Sequence, residues 1–137
     1  MGYMRHHAII CSGPAPIKDE GAYWLSSIAV AKYAASLQRA HDRAKDIFGD
    51  TVSPITVSPV NAVGSFFVAP DGAWNEDEDS DAGDARRAEF IAYLRSEYYG
   101  DGSSPIKWAE VQYGDAENEA KVTQSSDFDA AIWHHTI

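Results

Sequence analysis

The apolar run Ala8-Ile9-Ile10-Cys11 is halted by the breaker cluster Ser12-Gly13-Pro14-Ala15-Pro16, and from Gly21 apolar residues recur every three or four positions. A chain that switches from strand-like to helix-like spacing in this way must build a mixed core. Tyr3 to Cys11 reads as a first strand. Gly21 to Phe48 reads as helical, with Tyr33, Leu37, Ala40, Ala44 and Ile47 along one stripe and Gly49 closing it as a C′ residue. Unbroken, such a helix would reach about 40 Å at 1.5 Å per residue. That exceeds the width of a small domain, so a bend or break is expected near Ser26-Ser27 or Ser36.

The same switch recurs downstream. Pro54 to Ser58 and Ser65 to Ala69 are β-prone runs separated by Pro59-Val60-Asn61-Ala62-Val63-Gly64, the pattern of a hairpin. Proline cannot donate to a ladder, so Pro54 and Pro59 predict that the first of these strands is very short or lies at a sheet edge. A polar segment, Asp71 to Gly83, leads to a second helix starting near Asp84, with Ala88, Ile91, Leu94 and Tyr98 as its stripe and Gly100 as its stop. Ile106 to Tyr113 reads as a strand, Gly114 to Asn118 as a turn and Glu119 to Gln124 as a partner strand. The tail from Asp127 carries Phe128, Ile132 and Trp133, which gain little by staying in water and are expected to pack.

The order strand, helix, strand, strand, helix, strand predicts an α+β fold. Its expected form is a ferredoxin-like βαββαβ sandwich with an extra C-terminal hairpin strand and tail, in one domain covering residues 1–137. Both helices would then cover one face of the sheet. The other face would be open to a ligand, a partner or a second copy of the chain, making a homo-oligomer through that face an expectation.

Composition narrows the function classes. With 45% apolar and 23% charged residues, the chain falls in the globular range. A formal charge of −10 opposes binding to phosphate backbones, which depends on Lys and Arg displacing counterions, so nucleic acid is not an expected partner. Cys11, the single cysteine, allows no internal disulfide and suits a reducing compartment. The most apolar stretch, Ala22 to Leu37, is interrupted by Lys32 and is too short for a membrane span. No signal sequence is seen in Met1 to His7. These observations predict a cytoplasmic location.

Several motifs invite chemistry and fail on spacing. Asp77, Asp79 and Asp81 alternate as in a calcium loop, but Ala82 and Ala88 stand where an EF-hand needs glycine and a bidentate Glu. A solvated acidic loop favouring the positive end of the next helix accounts for them. His6-His7 and His134-His135 would point to opposite faces if each pair lies on a strand, so neither pair is a ready metal site. His134-His135-Thr136 holds one His-x-Thr where two-histidine phosphoesterases need two, one as base and one as acid. Cys11 reads as a buried structural thiol. No phosphate loop, nucleophile elbow or dinucleotide fingerprint is present. No catalytic residue, metal or cofactor is therefore expected.

Aromatic residues and arginines remain. Tyr23, Trp24, Trp74, Trp108, Tyr113 and Trp133 are spread among the elements, and such side chains suit ligand stacking and protein interfaces. Arg86 and Arg87 open the second helix, where they would either meet an anionic group or pair with the adjacent carboxylates.

The segments Met4 to Ile10, Phe66 to Gly72, Tyr99 to Pro105 and Val111 to Asp115 resemble a loose family of small uncharacterised phage and prophage proteins. The resemblance covers most of the chain and carries across no functional residue; Pro14 to Ser26 departs from it as an insertion. It implies an inhibitor of host defence in the host cell cytoplasm, acting on a host protein or capturing a nucleotide signal. The leading expectation is a non-catalytic binding protein that blocks a host protein or sequesters a small anionic, nucleotide-like ligand. Its candidate ligand-binding residues are Arg5, His7, Trp74, Arg86, Arg87, Trp108 and Tyr113. One alternative is a small hydrolase or phosphoesterase using histidines from the chain ends, such as His7 and His135. Another is an acidic nucleic-acid mimic built on Glu76 to Asp84.

Overall fold

The computed structural model describes residues 6–14, 27–60, 62–70, 78–114 and 119–127. Along these run β1 (His6–Pro14), α1 (Ser27–Phe48), a 3-10 turn (Gly49–Thr51), β2 (Thr56–Val57), β3 (Val63–Val68), α2 (Glu78–Ser96), β4 (Lys107–Tyr113) and β5 (Lys121–Ser125). The fold is α+β: two helices and one open five-stranded sheet in the order β2-β3-β1-β4-β5, with every neighbouring pair antiparallel.

β1 sits at the centre, paired to β3 from Ile9↔Val68 onward and to β4 from His6↔Tyr113 onward. It runs three residues beyond the expected stop at Cys11, with Ser12, Gly13 and Pro14 opposite Ser65, Gly64 and Val63. Proline is accepted here because the β4 partner strand ends at Ser12↔Lys107, so Pro14 needs no donor on that side. β2 is the short edge strand that Pro54 and Pro59 implied, only two residues long. The first helix is described from Ser27 to Phe48 without interruption at Ser36; the other expected break, near Ser26-Ser27, borders residues outside those described. Gly49 follows with φ of 69°, a left-handed conformation that glycine adopts without steric cost.

The second helix corrects two expectations. It begins at Glu78 rather than near Asp84, so Asp79, Asp81 and Gly83 belong to helix, not to a loop. No proline interrupts Glu78 to Asp84, and acidic residues are favoured in a helix's first turns. Its inward stripe is Arg87, Phe90, Ile91 and Leu94, while Ala88 is exposed and Tyr98 lies past the helix end.

Because strand side chains alternate, one sheet face holds Ile9, Cys11, Phe66, Val68, Ile106 and Trp108, all buried. Against them pack Leu37, Ala40 and Ala44 from α1 and Phe90, Ile91 and Leu94 from α2. The opposite face presents Ile10, Ser12, Ser65, Phe67 and Ala109, joined in register across three strands. Ser12 and Ser65 share a hydroxyl hydrogen bond of 2.7 Å there.

Leu37 is fully buried at the α1–sheet contact. Leu37→Ala is expected to lower unfolding stability by about 2–5 kcal/mol in urea titration, the usual range for a large-to-small core change. Burial also pushes the Cys11 thiol well above its ordinary range, so the thiol should resist an aromatic disulfide reagent in the native protein and react at once in denaturant.

Candidate functional site

A cavity of about 210 Å³ opens where the start of β1, the end of β3, the C-terminus of α1 and the first half of α2 meet. Its lining includes His7 from β1, Phe48 and Thr51 at the end of α1, Ala69 after β3, and Arg86 and Arg87 from α2. Each residue is there for a local reason. His7 points to the helix-covered face because it precedes Ile9 by two positions on β1. The turn Gly49–Thr51 brings the chain back so that Thr51 O accepts the Ala69 N–H at 2.8 Å, closing that wall. Arg86 and Arg87, adjacent on α2, diverge: Arg86 is half-buried and Arg87 buried.

Arg87 anchors the site. Its Nε lies 3.7 Å from Glu110 Oε2, and its Nη2 donates to Asp84 one turn earlier. The Glu110 side chain, on the inward face of β4, is slightly more buried than that of Arg87. Its Oε1 accepts Thr123 Oγ1 at 2.6 Å and Gln124 Nε2 at 3.1 Å. The buried carboxylate is therefore hydrogen-bonded through Oε1 and paired with a cation through Oε2, the condition under which a charge can be held away from water. The Asp84 side chain, in contrast, is 60% exposed.

Of the seven residues nominated from sequence, the structure brings three together: His7, Arg86 and Arg87 all line this cavity. Trp108 is elsewhere. It is a core residue under α2, donating Nε1–H to Tyr98 Oη at 3.1 Å, with the Arg95 guanidinium 5.4 Å from its ring centroid. Tyr113 lies at the end of β4 on the open face, its ring 5.2 Å from that of His6. Arg5 and Trp74 lie outside the described residues, as do Tyr23, Trp24, Trp133, His134, His135 and most of the tail.

Other titratable groups serve packing. His41 makes a 2.9 Å hydrogen bond with Ser53 O and meets Phe66 edge-on. At the far end of the helix pair, Tyr93 Oη donates to Glu97 Oε1 at 3.0 Å, and Arg39 Nε lies 3.4 Å from the same oxygen. Burial, and then the Glu97 carboxylate, raise the Tyr93 phenol above its ordinary range. Among the described residues no group of three His, Cys, Asp or Glu side chains is placed to hold a metal. No described helix is long and apolar enough to cross a membrane.

No family model and no curated protein matches the chain.

Sequence reasoning passed over Glu110, whereas Asp84 entered as the end of the acidic run and, among the adjacent carboxylates, as a partner for the arginines. A signal for Glu110 existed: it stands two residues after Trp108 on a strand, an inward position where a carboxylate demands a buried cation. Thr51 carried no signal, because its place depends on how the 3-10 turn folds back.

Removing the cation should be costly. Arg87→Met leaves Glu110 buried and unpaired, with an expected loss of about 3–5 kcal/mol in denaturant unfolding, whereas Arg87→Met with Glu110→Met should recover most of it. The raised Tyr93 phenol sets a pH limit of the opposite kind. The unfolded phenol ionises near pH 10 while the folded one stays protonated, so this contribution is intact below about pH 10 and lost as pH rises through the folded value. Melting temperatures measured between neutral and strongly alkaline pH should fall less steeply for Tyr93→Phe than for the unaltered chain.

Proposed function

We propose that this is a non-catalytic binding protein whose ligand carries an anionic group, received in the cavity between β1, α1 and α2. The observation that carries this reading is the convergence of His7, Arg86 and Arg87 on one cavity, from elements about eighty positions apart in a chain of net charge −10. A volume of about 210 Å³ is below the roughly 300–1,000 Å³ of whole-ligand pockets, so the cavity takes the anionic end of the ligand and leaves the rest outside.

Arg87 is held on its inner side by Glu110 and on its outer side by Asp84. The exposed Asp84 carboxylate is the exchangeable partner. A phosphate-like group displaces it from the guanidinium, while Glu110 keeps the arginine in place, and Arg86 adds a second charge-assisted contact. Guanidinium groups are suited to this because their planar donor fork matches phosphate oxygens.

The resemblance to phage and prophage proteins supports a biological role consistent with this chemistry: capture of a small anionic host signal, nucleotide-like in character, as a means of counter-defence. The sheet order supports the finer fold assignment too. β4-β1-β3-β2, with helices following β1 and β3, is the arrangement of a ferredoxin-like sandwich, and β5 is the added hairpin strand.

Titration with inorganic phosphate and with a nucleoside 5′-monophosphate, followed by NMR, tests the proposal. The Arg86 and Arg87 Nε–H signals and the His7 ring signals are expected to shift saturably. Arg86→Ala should weaken binding about tenfold or more, the loss of one charge-assisted contact, and Asp84→Asn should strengthen it. Unmoved signals, or equal affinity in Arg86→Ala, would overturn the reading.

A further inference from the structure

The sheet face turned away from the helices carries an unusual surface for so acidic a chain. Its side chains, read from the register, include His6, Ala8, Ile10 and Ser12 on β1, Ser65 and Phe67 on β3, Lys107, Ala109, Val111 and Tyr113 on β4, and Val122 and Ser125 on β5. None is acidic, although the chain holds 21 Asp and Glu residues. Ile10, Phe67 and Val122 are 47%, 45% and 58% exposed. Beside Ile10 and Val122 runs an open groove of about 310 Å³, lined also by Ser12, Ala109, Lys107 and, at its rim, Asp127. Among the described residues of these strands the one charged side chain on the face, Lys107, is engaged at the rim with Asp127 at 3.2 Å.

We infer that this open face is the interface of a symmetric homodimer, in which a second copy of the chain packs sheet against sheet. Three observations select a second copy. Among the described residues the face offers no unpaired charge to a basic or an acidic macromolecule, which favours a partner surface that is flat, apolar and uncharged, and this face is itself such a surface. A two-fold interface needs that self-complementarity. Next, keeping carboxylates off the face is what two copies of net charge −10 require in order to approach. Finally, β3, β1, β4 and β5, five to nine residues long and about 4.8 Å apart, give a face of roughly 20 by 20 Å. Two such faces with their rims bury on the order of 1,000 Å², the lower bound of a specific interface. Aligned sheets pack about 10 Å apart at roughly 30°, which seats Ile10, Phe67 and Val122 of one copy among those of the other.

The area and the charge together dictate how the dimer behaves. It is weak, with a dissociation constant in the micromolar range, and it tightens with salt because added ions screen the repulsion between the two acidic copies. A complex with a basic partner would show the reverse salt dependence.

Sedimentation equilibrium of the full 15.0 kDa chain, over a wide range of protein concentration and at low and high sodium chloride, tests the dimer. The expected result is a monomer–dimer equilibrium that strengthens at high salt. Phe67→Asp and, separately, Val122→Glu should shift it to monomer by at least about tenfold in dissociation constant, with circular dichroism and melting temperature retained. Val60→Glu, in the exposed β2–β3 turn, should leave it unchanged. A monomer at every concentration and salt, whether the face is covered by another part of the chain or reserved for a different protein, would overturn the proposal. So would a dimer insensitive to both face substitutions. Phosphate titration of Phe67→Asp separates this inference from the anion cavity, which lies on the helix side and should bind as before.

Discussion

The pairing of β1 on both of its edges sets the two faces of this protein. With Ile9 opposite Val68 and Glu110, and Ile10 opposite Phe67 and Ala109, every inward and outward position on three strands is decided together. A slip of one residue would send Ile9 and Cys11 outward and Ile10 and Ser12 under the helices. The core excludes that slip, because Leu37, Ala40 and Ala44 of α1 need apolar partners beneath them. His7 reaches the cavity, and Phe67 reaches the open face, as consequences of the same register.

The buried Arg87–Glu110 pair performs a second kind of fixing. Apolar contacts between α2 and the sheet are non-directional and would tolerate some sliding of the helix. A guanidinium that must stay within reach of one carboxylate, itself held by Thr123 and Gln124, ties α2 to β4 and β5 at a single position. Arg95 adds to this from the other end of the helix, donating to Gln124 Oε1 at 3.1 Å and lying over Trp108. Among the described residues Arg87 is thus held by the buried Glu110 on one side and by the exposed Asp84 on the other. Preorganisation of this sort lowers the ordering cost of binding.

Legibility in the sequence followed the range of the interactions involved. Alternating periods and breaker residues identified every described strand and both helices, since those signals are local. The misjudged boundaries, Cys11 for β1 and Asp84 for α2, are places where pairing or helix propagation outweighed a local cue. Pro14 ends a strand from within it because it has a partner on one side only. For the site, the adjacent arginines drew notice as a charged pair, yet their separation into one buried and one half-buried side chain depended on Phe90, Ile91 and Leu94 turning that stripe of α2 inward. Trp108 drew notice as a large aromatic with a polar handle, and that handle is satisfied inside the molecule by Tyr98.

By itself, the amino-acid sequence determined the class of fold, the order of elements, the short edge strand at Pro54 to Ser58 and the acidity of the surface, because periodicity, proline and net charge act over a few residues or over the whole composition. Tertiary structure alone decided that His7 and Arg86 share a cavity, that Glu110 is the buried counter-charge of Arg87, and that the acid-free side chains of four strands form one continuous face. Those facts arise from antiparallel register and helix docking, which join residues far apart in the chain.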